Sequence, residues 1–148
     1  MPQASASIFI NAEPVRVFEV ITDFARYPEF LPEVKEALVE KIKGRISVSF
    51  EIRQLKTIRY KVLFKTSAPK RVEWTLDSGE IFKKNSGIWN LRRKGRGTEV
   101  HYAVDVEFDA PVPSFIVRRL VDAGLPAMLD RFKDRVERAM ARAGKYRQ

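Results

Sequence analysis

The side chains in this sequence that could do chemistry are few, and their types narrow the choice. The chain has no cysteine and one histidine, His101. Acyl transfer needs a nucleophile beside a base, so any Ser-His-Asp arrangement would depend on that one imidazole. His101 has the opposite strand parity to Tyr102 and Val104, which puts it on a solvent face. The carboxylates fare no better. Glu51, Glu73, Asp77, Asp105 and Glu107 take outward parity or lie in turns, away from an interior where general acid–base work is done. One histidine, no cysteine and no carboxylate cluster at ligand spacing argue against a metal. Gly95-Arg96-Gly97 is a hairpin turn without phosphate-loop spacing. No catalytic residue, metal or cofactor is therefore expected.

What remains is an aromatic set with a few polar handles. Phe50, Tyr60, Phe64, Trp74, Trp89, Tyr102 and Val104 share the inward side of their strands, and Leu120, Met128 and Phe132 recur on one side of a helix. Tyr60, Tyr102 and the two indoles each carry a polar group that needs a partner inside, which suits a ligand better than a sealed oil drop. These ten residues are the expected walls of a binding site. The alternative is a plain hydrophobic core.

The elements that must position them follow from periodicity. From Pro113 to about Ala143, apolar residues recur at helical spacing between charged ones, predicting a helix of about 30 residues, roughly 45 Å long. Gly124 and Pro126 predict a kink or break near Ala123 to Leu125, a thin spot where the helix could lift. At the other end, Ala4 to Asn11 reads as a strand, and Pro14 to Ile21 as a short helix with proline in its first turn. Phe24 to Pro32 is a second helical turn or compact loop, bounded by two prolines.

Six strands follow. They run from Glu33 to Ile42, through Ile46 to Ile52, Ile58 to Phe64 and Val72 to Leu76, then from Ile81 to Arg93 and from Val100 to Phe108. Lys43-Gly44, Ala68-Pro69-Lys70, Asp77-Ser78-Gly79 and Lys94 to Gly97 are the turns between them. Short turns force antiparallel pairing, and one apolar face per strand means a sheet covered from one side. The expected fold is α+β: a curved antiparallel sheet of about seven strands, in the order β-α-α-β6-α, wrapped on the long C-terminal helix. With no repeat or linker, residues 1–148 read as one domain, with loose ends at Met1 to Gln3 and Gly144 to Gln148.

The formal net charge is +9, and no stretch has the leader pattern or the roughly 18 apolar residues of a membrane span, so a cytoplasmic protein is expected. Arg53, Arg59, Lys61 and Lys65, with Lys83, Lys84, Arg92, Arg93, Lys94 and Arg96, give a basic exterior. It could make weak contact with an anionic partner such as a ribosome, RNA or a lipid headgroup. No aromatic shares that face, so base stacking is not supported.

Several strings resemble the START-like, helix-grip (SRPBCC) superfamily, in particular its polyketide cyclase and coenzyme Q-binding carrier branch. They are Ile8-Phe9-Ile10-Asn11-Ala12, Pro14-Val15 with Val17-Phe18, Asp23-Phe24, Tyr27-Pro28-Glu29-Phe30-Leu31-Pro32, Gly87-Ile88-Trp89-Asn90-Leu91 and Val104 to Phe108. The likeness spans nearly the whole chain, though Glu33-Val34 stands where that branch often has tryptophan or cysteine. It implies a helix-grip fold that binds a small hydrophobic molecule, a lipid, isoprenoid quinone or polycyclic aromatic, between sheet and helix. The segment from Tyr27 to Pro32 and the turn at Ser78-Gly79 would form the rim. A cyclase or aromatase using Tyr60 or Tyr102, and a ribosome-associated protein using its basic face, are the alternatives.

Overall fold

A computed structural model of the chain describes residues 3–53, 57–109, 111–119 and 124–146. Strand β1 (Gln3–Ile10) leads into helix α1 (Pro14–Ile21) and a 3₁₀ helix (Phe24–Glu29). Then come β2 (Val34–Ile42), β3 (Arg45–Arg53), β4 (Thr57–Ser67), β5 (Arg71–Gly79), β6 (Phe82–Lys94) and β7 (Gly97–Phe108), followed by α2 (Ser114–Arg119) and α3 (Leu125–Tyr146). The strands form one antiparallel sheet in the order β1-β7-β6-β5-β4-β3-β2. The expected α+β helix-grip architecture is present, with the strand count and element order read from the sequence.

Local chemistry accounts for the boundaries. Pro14 opens α1 where a missing N–H costs nothing, and Thr22 closes it, its hydroxyl donating to the Phe18 carbonyl at 2.8 Å. Lys43 (φ 48°) and Gly44 (φ 78°) make a turn in which both central residues are left-handed, matching the twist of β2 and β3. The turn expected at Asp77 to Gly79 is displaced. A register shift between Lys61 and Val62 lets β5 stay paired as far as Gly79 opposite Tyr60, so the chain reverses at Glu80 and Ile81.

The expected long helix is described as α2 and α3, and the kink or break expected near Ala123 to Leu125 falls mostly outside the described residues. Helix α3 starts at Leu125 with Pro126 in its first turn, where proline is tolerated, and Leu120 to Ala123 lie outside the described residues. At its other end α3 continues to Tyr146, so Gly144 to Tyr146 are helical rather than a loose end, and Arg147 and Gln148 lie outside the described residues. Its buried stripe is Leu125, Leu129, Phe132 and Val136, one residue or so per turn. Gly124, expected on the covering face, is exposed.

Helix α3 is fastened to the start of the chain by polar contacts. Lys133 donates to the Phe9 carbonyl at 2.8 Å and pairs with Glu137 at 2.7 Å, while Glu137 accepts from the Asn11 backbone at 2.9 Å. Arg135 reaches Glu29 on the 3₁₀ helix at 2.5 Å. Between α3 and the sheet lies the core, which includes Val17, Ile21, Phe24, Val48, Val62, Val72 and Val100.

Candidate functional site: an aromatic trough with a packed end and an open end

The inner face of the sheet and the helices over it enclose a chain of touching rings, and those rings divide into two groups. At one end Phe132 meets Trp89 at 4.9 Å, Phe30 at 5.0 Å and Tyr27 at 5.3 Å between centroids, all edge to face. Phe24 stacks on Phe64 at 4.0 Å, and Phe50 lies 6.0 Å from Tyr27. These rings are buried apart from the half-buried Phe30, and the Tyr27 hydroxyl donates to the Ile21 carbonyl. This end is packed core. The segment from Tyr27 to Pro32, expected at a rim, therefore contributes Tyr27 and Leu31 to the interior. Those residues, with Phe24, fill the space beside the 3₁₀ helix.

At the other end the inward side chains are only partly covered. Tyr60, Leu76, Phe82, Tyr102, Val104, Val106, Phe108 and Met128 are all half-buried. Tyr60 touches Phe82 edge on at 5.1 Å, Phe82 stacks on Phe108 at 5.6 Å, and Tyr102 contacts both Trp89 at 4.7 Å and Trp74 at 5.4 Å. Among the described residues neither the Tyr60 nor the Tyr102 hydroxyl has a hydrogen-bond partner, and neither is sealed from solvent. Burial pushes the Tyr60 phenol up to about 12, and it raises Tyr102 as well, helped by the nearby Tyr60. Both phenols are thus protonated donors at neutral pH.

Trp74 forms the floor between the two ends. Its ring lies across Gly87, where an added Cβ would stand 2.3 Å from two ring carbons. Its indole N–H donates to Asn85 Oδ1 at 3.1 Å. The sequence reading missed both partners, although the strand parity that selects Gly87, Trp89 and Leu91 runs back to Asn85.

Of the ten residues expected to line the site, Tyr60, Tyr102, Val104 and Met128 face the open end. Trp74 is the floor, and Phe50, Phe64, Trp89 and Phe132 belong to the packed end. Leu120 lies outside the described residues. Ser78 and Gly79 border a cleft of about 280 Å³ lined also by Phe50 and Tyr60 and by Glu36, Leu38, Ser49, Glu51, Arg59 and Lys61, side chains of both parities on β3 and β4.

His101 is exposed and shares a 2.9 Å hydrogen bond with the Ser7 hydroxyl on the outer face, far from the trough by parity. The basic exterior is interrupted by acids: Arg59 pairs with Glu51 at 3.0 Å, Lys84 with Asp105 at 2.6 Å, and Lys94 with Glu99 at 3.4 Å. Such pairing lowers the local field that would draw a phosphate-rich partner. Among the described residues no helix is long and apolar enough to cross a membrane, and no cluster of three or more metal-ligating side chains occurs.

Comparison with known proteins bears on the family and the fold. The profile of the family described as polyketide cyclase / dehydrase and lipid transport matches residues 1–137. A START superfamily protein from Mycobacterium smegmatis superposes with a TM-score of 0.83 at 22% identity, covering 93% of this chain and 98% of that one. A Thermus thermophilus protein gives 0.81 at 23% identity, over 93% and 99%. The Zhui aromatase/cyclase from a Streptomyces species gives 0.80 at 15% identity, over 93% and 94%. At these identities the superpositions speak for the fold alone. No curated protein sequence matches the chain.

Proposed function

We propose, from the premise that this chain belongs to the polyketide cyclase / dehydrase and lipid transport family, that the open end of its trough binds a small apolar molecule carrying a polar group. The observation that carries this reading is the pair of half-buried inward phenols, Tyr60 and Tyr102, whose hydroxyls have no partner among the described residues. Both hydroxyls still reach water, so a ligand's oxygen would replace solvent as their partner, for a net gain of about 0.5–1.5 kcal/mol each. Phe82, Val104, Phe108 and Met128 would supply the apolar wall, and Trp74 the floor. Lipids, isoprenoid quinones such as coenzyme Q, and polycyclic aromatics all meet this description.

Titration calorimetry with a panel of quinones, fatty acids and flavonoids tests it, with indole emission from Trp74 and Trp89 as a second signal. At least one compound should bind, and Tyr60→Phe and Tyr102→Phe should each weaken it by roughly twofold to tenfold. A panel in which nothing binds or raises the melting temperature would remove the proposal.

The cyclase alternative has the family description behind it and a specific chemical handle: two protonated phenols can polarise a carbonyl. Against it, among the described residues the strands place no carboxylate or imidazole on the inward parity of the open end to move a proton. Turnover of a polyketone, abolished in Tyr102→Phe without unfolding, would decide in its favour.

A further inference from the structure

We infer that Asn85 is a ligand-recognising residue of the trough, holding Trp74 through its amide oxygen and presenting its amide N–H groups to an uncharged oxygen acceptor on the bound molecule. This rests on the binding function proposed above and adds the class of ligand.

The argument starts from where β6 places the residue. Asn85 has the parity of Gly87 and Trp89, faces the interior and is 8% exposed. A primary amide so placed needs partners for both of its ends. Its oxygen has one, the Trp74 indole N–H at 3.1 Å. An indole N–H can only donate, so the oxygen must face the ring and the NH₂ group must face away from it. Among the described residues that NH₂ group has no hydrogen-bond partner, and it is not fully enclosed. It joins the Tyr60 and Tyr102 hydroxyls as a third inward donor without a protein partner among the described residues.

The regular inward parity of the strands at the open end offers these three neutral donors and, among the described residues, no cation or carboxylate. A carboxylate ligand would bring a charge into an apolar site with no counterion, and an ammonium would find phenol oxygens alone. A ketone, quinone or lactone oxygen would match the donors without any charge to desolvate. Gly87 contributes indirectly: its missing Cβ lets Trp74 lie flat enough to reach Asn85.

Calorimetry with three probes on one ring frame tests the inference: fluorenone, a neutral ketone; fluorene, its hydrocarbon; and fluorene-9-carboxylate. The wild-type protein should prefer fluorenone to each of the others by roughly tenfold. Asn85→Leu and Asn85→Ala each remove the N–H donors without bringing a charge into the apolar site. Each should lower the ketone-over-hydrocarbon ratio by roughly fivefold, with fluorene affinity itself little changed. A purely structural role would scale both affinities together and leave the ratio fixed, which overturns the assignment for whichever variant stays folded. Fluorene binding as well as fluorenone to the wild-type protein would also overturn it while leaving the pocket intact. Failure of all three probes to bind would count against the pocket and the Asn85 assignment together.

Discussion

Replacing Gly87 by alanine is the sharpest perturbation of the trough floor. The new Cβ would lie 2.3 Å from two carbons of the Trp74 ring and 2.5 Å from the Ala103 carbonyl oxygen. Non-bonded carbons prefer about 3.5–4.0 Å, so the indole must retreat by roughly 1 Å or more. Retreat is resisted on both sides. Tyr102 is stacked against the ring at 5.4 Å between centroids, and the 3.1 Å bond to Asn85 has little slack. Overpacking of this kind costs about 1–3 kcal/mol, and a lost buried hydrogen bond adds about 0.5–1.5 kcal/mol. A destabilisation of about 2–4 kcal/mol follows, equivalent to a fall in Tm of roughly 5–15 °C for a chain of this size. Urea unfolding at equilibrium, followed by indole emission, measures it directly. Trp74→Phe supplies the control, because it removes the ring atoms that clash. Combined with Gly87→Ala it should cost less than the sum of the two single changes by about 1–2 kcal/mol, the Ala103 contact accounting for what remains. A Gly87→Ala protein within about 0.5 kcal/mol of wild type, or strict additivity in the cycle, would refute the packing described for Trp74.

Lys43 holds a left-handed conformation at φ 48°, which an asparagine side chain tolerates better, so Lys43→Asn should stabilise the protein by about 0.5–1 kcal/mol in urea titration. Phe132→Ala removes a ring that touches three others at the packed end and should cost about 3–5 kcal/mol, read by the same method. The phenols of Tyr27, Tyr60 and Tyr102 are all raised by burial, so the folded protein keeps their protons where the unfolded chain has lost them. Their contribution is complete below about pH 10 and declines as pH rises, by up to about 1.4 kcal/mol per pH unit for each phenol. Tyrosinate absorbance for these three should accordingly appear together with alkaline unfolding; independent titration of Tyr60 near pH 10 in the folded protein would contradict its burial.

Much of the fold could be read directly because strand parity and helical spacing are properties of the chain alone. Val48, Phe50, Val62, Phe64, Trp89 and Leu91 had to share a face once their strands paired, and that face had to be covered. The stripe Leu125, Phe132 and Val136 named the cover in the same way. Polarity and size could not say which inward residues would be packed and which left open. Phe132 and Met128 belong to the same helix, yet one is enclosed by three rings and the other is half-buried. Tyr27 moved from an expected rim to the core because the 3₁₀ helix, not the local sequence pattern, sets its direction. The chain reversal moved past Gly79 because β5 carries an extra residue, Asp77, between its pairs with Val62 and Lys61 and runs on beyond it. The Trp74, Asn85 and Gly87 arrangement depends on two strands in a fixed register, one supplying the ring and the other both the gap beneath it and the oxygen it donates to. The sequence alone determined which side chains face inward; only tertiary packing decided where rings fill the space and where side chains stay partly uncovered, because that depends on distances between strands far apart in the chain.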